Sequence, residues 1–184
     1  MNKVLFLGTL FAALSCVYAS ADPVKVATTK YYIGESITTS DKGVERKPYI
    51  ISRTEDPVNS KITEDVISFQ ETGFHENSSE LAIDGNSHFI MKESTGMMTG
   101  SGDLTGAPWD WTFLRATFSF KTPNFEITID DFNFFADPKT ITAHKDFYLG
   151  PTVQKDKLFR QEDLVLYLSD KASFEAKRDE LLKK

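Results

Sequence analysis

The chain has 184 residues, 40% of them hydrophobic, 26% charged and 12% aromatic, with a formal net charge of −6. A length and apolar content of this order suit one globular domain and exclude wholesale disorder. The excess of acid, 27 Asp and Glu against 21 Lys and Arg, argues against nucleic acid or an anionic membrane as the main partner, because both favour a net-basic surface.

Met1-Asn2-Lys3 is a short positive start, residues 4–14 form an apolar run, and Ala19-Ser20-Ala21 fits a small-x-small cleavage pattern ahead of Asp22-Pro23. This is the pattern of a secretory signal peptide. The apolar run is too short for a spanning helix, which needs about 20 apolar residues, and no later segment offers a transmembrane helix. Residues 1–21 are therefore expected to be a cleavable signal, and residues 22–184 a single exported domain, periplasmic or secreted. Cleavage would remove Cys16, the one cysteine, so the domain would rest on its core and not on disulfides. Ala13-Leu14-Ser15-Cys16 gives a lesser reading, a lipid anchor at Cys16, with Ala13 where a lipobox carries Leu.

From residue 22 onward, short apolar or alternating stretches are set off by turn residues, the pattern of many β-strands. Residues 24–33 open the domain; 44–52 follow the Ser40-Asp41-Lys42-Gly43 turn. In residues 61–72 helix and strand compete over 62–69, with strand favoured. Asp84-Gly85, between 81–83 and 87–93, predicts a hairpin with a type I′ turn. Residues 95–104 carry Gly96, Gly100 and Gly102, which inside a strand mark bends, bulges or close backbone approach. Residues 109–120 and 125–135 each change apolar parity near the middle, as two paired strands that bulge together would. Residues 140–149 and 163–168 supply two more strands. Residues 170–183 show helical spacing, with Ser169, Asp170 or Ser173 as caps, and the helix is expected on the outer side of strand 164–168. The sum is an all-β fold: an antiparallel up-and-down barrel or strongly curved half-barrel of about eight to ten strands with one C-terminal helix. A two-sheet β-sandwich is the alternative.

Chemistry-bearing motifs are sparse. Gly100-Ser101-Gly102-Asp103-Leu104-Thr105-Gly106 lacks the spacing, the lysine and the following helix of a phosphate loop. His75, His88 and His144 have no metal-ligand spacing. Glu64-Asp65 and Asp130-Asp131 are neighbours that a strand points to opposite faces. No nucleophile elbow is present, so no catalytic residue, metal or cofactor is assigned. Asn77-Ser78-Ser79 is a glycosylation sequon. The aromatics crowded into 109–135 read first as core and second as the lining of an apolar cavity.

The run Met97-Met98-Thr99-Gly100-Ser101-Gly102-Asp103-Leu104-Thr105-Gly106-Ala107-Pro108-Trp109-Asp110-Trp111 resembles bacterial exported domains of unknown function, in which a glycine-studded strand leads into a P-W-x-W segment. The resemblance implies a calycin-type or half-barrel β fold and export, and carries no activity; the lipocalin G-x-W motif is absent. The expected function is an exported, non-enzymatic binding protein for a small apolar or amphipathic ligand such as a lipid or fatty acid. Trp109, Trp111, Phe132, Phe134 and His88 are its expected lining. The alternatives are an envelope protein-interaction module with a solid core, and an enzyme of hydrolase type.

Overall fold

Period-2 patterning governs almost the whole chain. The computed structural model describes residues 26–70, 73–85, 87–107, 109–137 and 139–183; the expected signal peptide, its expected cleavage site and Cys16 lie outside the described residues. Ten strands follow one another: β1 (Thr28–Ser40), β2 (Gly43–Asp56), β3 (Lys61–Gln70), β4 (Gly73–Ile83), β5 (His88–Glu93), β6 (Met98–Ala107), β7 (Asp110–Lys121), β8 (Glu126–Asp137), β9 (Thr140–Leu149) and β10 (Leu158–Ser169). A 3₁₀ turn at Lys155–Lys157 precedes β10, and helix α1 (Lys171–Leu182) ends the chain.

Each strand pairs antiparallel with the next, and β1 also pairs with β10, setting Ser36 opposite Leu164. The sheet is thus a closed up-and-down barrel. Closure removes the unpaired edges that a two-sheet sandwich would keep. Alternate residues face inward. In β3 these are Ile62, Glu64, Val66 and Ser68, whereas Ile67 turns outward beneath α1. No described helix is long and apolar enough to cross a membrane. The outer surface carries exposed charge on the strands, at Glu35, Arg46, Asp103 and Arg115, which a lipid-facing barrel wall opposes.

Two local expectations need correction. The β4–β5 hairpin exists, but it is not a two-residue type I′ turn. The Ser87 N–H donates to Asp84 O at 3.2 Å, the Asp84 N–H donates to His88 O at 2.8 Å, and Ser87 takes the positive φ of 66°. That is a three-residue loop, a turn followed by one left-handed residue. The parity changes also differ between the two aromatic strands. In β7 the register slips at Thr112, with Phe113 opposite Thr105 and Trp111 opposite Gly106. Trp111 and Leu114 therefore both turn inward although three residues apart. In β8 the inward set Ile129, Asp131, Asn133 and Phe135 keeps one parity, and the slip falls only between Phe134 and Asp137.

The helix packs elsewhere than expected. Phe174 and Leu181, both buried, sit on Ile50 and Ile67 with Tyr31, Ile33 and Phe74 beside them, so α1 covers the outer face of β1–β4. The outer face of β10 stays open, with Tyr167 59% exposed. The cause is the apolar stripe that Ile33, Ile50 and Ile67 build across three strands; each large side chain buried there is worth about 1.5–3 kcal/mol. Asp170 caps the helix by accepting from the Ser173 N–H at 2.9 Å, and Arg178 reaches Glu76 at 2.8 Å.

Gly102 marks the tight coiling of β6 on β7. It stands opposite Ala116, and a Cβ there would run into the Arg115 carbonyl oxygen and the Ala116 Cα and Cβ. At Gly85 a Cβ meets nothing within 4 Å. Gly102→Val is therefore expected to cost about 1–3 kcal/mol by overpacking, whereas Gly85→Ala shifts stability by less than about 0.5 kcal/mol. Urea midpoints of the two variants measure this, and equal midpoints would contradict the close approach.

Candidate functional site

A barrel of eight strands is just filled by its own side chains, and width grows with strand number. The ten strands here enclose a cavity of about 510 Å³. One end is stopped by Ile62, Phe89, Leu104 and Trp111. Toward the other end the wall reaches Phe69 and Met97, which are 38% and 44% exposed. These two sit at the end of β3 and in the β5–β6 turn.

The wall is two-sided. β6 and β7 bring Met98, Leu114, Phe118 and Phe120 to it and no charged residue. β2, β3 and β8–β10 bring Tyr49, Arg53, Glu64, Asp131, Lys145, Arg160 and Glu162. Strand register sets the charges in order. Lys145 of β9 stands opposite Asp131 of β8 on one side and Glu162 of β10 on the other, so the cation lies between two carboxylates, a favourable cross-strand arrangement.

Most of these groups are satisfied by one another. Arg53, 4% exposed, donates from Nη1 to Glu64 Oε1 at 3.0 Å and holds Glu55 Oε1 at 3.3 Å; its guanidinium carbon lies 4.8 Å from the Phe135 ring centre. Arg160 lies over Phe147 at 4.7 Å and donates from Nη2 to Glu162 Oε1 at 3.3 Å and Thr38 Oγ1 at 3.4 Å. Asp131 accepts from Asn133 Nδ2 at 2.9 Å, and Glu93 accepts from the Thr95 hydroxyl. Among the described residues Nε of Arg53 and of Arg160 has no hydrogen-bond partner, and Lys145 has no side-chain hydrogen bond at all. Its Nζ lies 3.9 Å from Asp131 Oδ2, beyond hydrogen-bond reach, and 5.6 Å from the Tyr49 ring centre. Among the described residues no carboxylate lies closer to it.

Burial and mutual charge fix the protonation states. Burial pushes Asp131 up to about 6, Glu64 and Glu162 adding to the rise while Lys145 and the Asn133 hydrogen bond oppose it. Burial alone would lower the Lys145 ammonium, but Tyr49, Asp131, Glu162 and Glu64 outweigh it and hold the group above its usual range. Burial foremost pushes Tyr49 up to about 12. At neutral pH Lys145 is thus a fixed cation, the opposite of a nucleophilic lysine, and Tyr49 a neutral donor. Among the described residues no cluster of three His, Cys, Asp or Glu is arranged to hold a metal ion.

None of the five residues expected to line the cavity is in its wall. Trp111, 8% exposed, and Trp109 pack into the apolar stopper at the closed end, their rings 6.2 Å apart. Phe132 turns outward with the Arg115 guanidinium 5.1 Å above it. Phe134 turns outward too, 49% exposed and 4.9 Å from Phe113. His88 lies outside, its Nδ1 3.0 Å from Asp103 Oδ1. His144, on the outer side of β9, contacts Asp163 at 2.7 Å and Asp146 at 3.2 Å. The sequon residue Asn77 lines the cavity. Strand alternation carried the missing signal: Ile141, Ala143, Lys145 and Phe147 share one parity, as do Ile129, Asp131, Asn133 and Phe135.

The Asp131 shift has a definite sign. A carboxyl held at about 6 against its ordinary 3.8 binds its proton more tightly when folded. It favours folding below the lower value, and that contribution is lost as pH rises through the upper one. The stability of the wild-type protein minus that of Asp131→Asn is expected to fall by about 2 kcal/mol between about pH 4.5 and 7.5. Urea unfolding at both pH values measures it; a constant difference would contradict the burial. Comparison of the chain with known protein families, curated proteins and solved structures found no match.

Proposed function

We propose that the chain is an exported, non-enzymatic binding protein that encloses one small amphipathic molecule inside its barrel. The observation that carries this reading is the two-sided cavity, apolar along β6 and β7 and charged across β2, β3 and β8–β10. Its volume of about 510 Å³ falls within the roughly 300–1,000 Å³ range of small-molecule sites. A wholly apolar ligand fits less well, because it would strip water from Lys145, Asp131 and Glu162 and give no hydrogen bond in return. An interaction module with a solid core has no use for this interior. A hydrolase is disfavoured by the same wall, since the lysine is held protonated and the tyrosine neutral. The export element of the proposal rests on Lys3, the apolar run and Ala19-Ser20-Ala21.

Native mass spectrometry of the protein purified from its source cells is expected to show a chain beginning at Asp22 with a bound amphipath of a few hundred daltons. A bare protein mass, unchanged after exposure to a lipid extract, would contradict the binding reading. An intact Met1 on the exported protein would contradict the signal peptide.

A further inference from the structure

We infer, resting on the binding reading above, that the polar end of the ligand is a singly charged oxyanion of the carboxylate type, received by the Lys145 ammonium with the Tyr49 phenol beside it. The inference starts from which groups in the wall still lack a partner. Glu64 is held by Arg53, Glu162 by Arg160, Asp131 by Asn133 and Glu93 by Thr95. Each wall carboxylate thus has at least one partner, whereas the buried side-chain atoms left without a hydrogen bond among the described residues are donors, Arg53 Nε and Arg160 Nε in the wall among them. Lys145 lines the cavity with three N–H groups and its nearest carboxylate oxygen 3.9 Å away. A half-buried ammonium facing the cavity in that state gains a charge-assisted hydrogen bond from any oxyanion that reaches it.

The flanking charges limit what can enter. Asp131 and Glu162 stand on either side of Lys145, so each additional negative charge meets repulsion. Asp131, already held near 6, can take up one proton as one negative charge arrives. A second charge would have to be lost by protonation of the ligand itself, an added cost that places a phosphate monoester behind a carboxylate. A cationic head is disfavoured because Lys145 itself repels it. The alkyl part of a bound monoanion then lies against Met98, Leu114 and Phe118 on the opposite wall.

The test uses the chain from residue 22 with the neutral probe N-phenyl-1-naphthylamine, displaced at neutral pH by decanoate, decanol, decylamine or decyl phosphate. Decanoate is expected to displace the probe at roughly ten- to a hundredfold lower concentration than decanol, the span of one hydrogen bond to a charged group, and to outrank decylamine and decyl phosphate. Lys145→Met is expected to bring the decanoate-to-decanol ratio close to one. Asp131→Asn, which removes a repelling carboxylate, is expected to tighten decanoate. Equal displacement by all four compounds, or a lead for decanol, decylamine or decyl phosphate, overturns the oxyanion inference and leaves the binding reading standing. Failure of the probe and of all four to bind overturns both. If Lys145→Met does not fold, the wild-type rank order and Asp131→Asn decide.

Discussion

Pairing of β1 with β10 fixes what the rest of the molecule has to solve. Once Ser36 stands opposite Leu164, all ten strands have two neighbours and the sheet has no edge to shield. The same closure sets the barrel width, and at this width the inward side chains do not meet across the axis. Stoppering one end with Phe89, Leu104 and Trp111 fills part of the interior. What remains is a cavity whose wall must be stable with or without an occupant.

The charged row is one answer to that condition. Burying an ammonium or a carboxylate is costly unless it is paired, and here register supplies partners without further chain. Glu162, Lys145 and Asp131 fall on one ladder row, and Arg53 links Glu64 to Glu55. Aromatic rings add a second support, Phe135 under Arg53 and Phe147 under Arg160, an arrangement that strengthens as water is excluded. A hydrophobic wall of similar volume would be no less stable. The charged wall is the feature on which the proposed binding reading rests.

The fold was legible because it depends on local pattern. Short extended stretches set off by turn residues, the hairpin signal at Asp84 and Gly85 and the glycines facing β7 all act over a few residues, and closure is the arrangement of many short strands that leaves no edge. The site was not legible because it inverts the usual rule that apolar side chains mark the inside. In β8 the outward Phe132 and Phe134 are more hydrophobic than the inward Asp131 and Asn133, so hydrophobicity alone selects the wrong face. In β7 the slip at Thr112 moves Trp111 inward and Phe113 outward, which alternation counted from either end misplaces. The helix was located in sequence but misplaced in space, because the stripe that receives Phe174 and Leu181 is assembled from Ile33, Ile50 and Ile67 on three different strands.

The proposed occupancy of the cavity by an amphipath would tie the closure, the charged row and the apolar wall together. Intermolecular nuclear Overhauser effects between the alkyl protons of bound decanoate and protein methyl groups locate the ligand most directly. The account predicts contacts to Met98 and Leu114, which line the cavity. Contacts confined to outward-facing residues such as Ile90, 55% exposed, would contradict it.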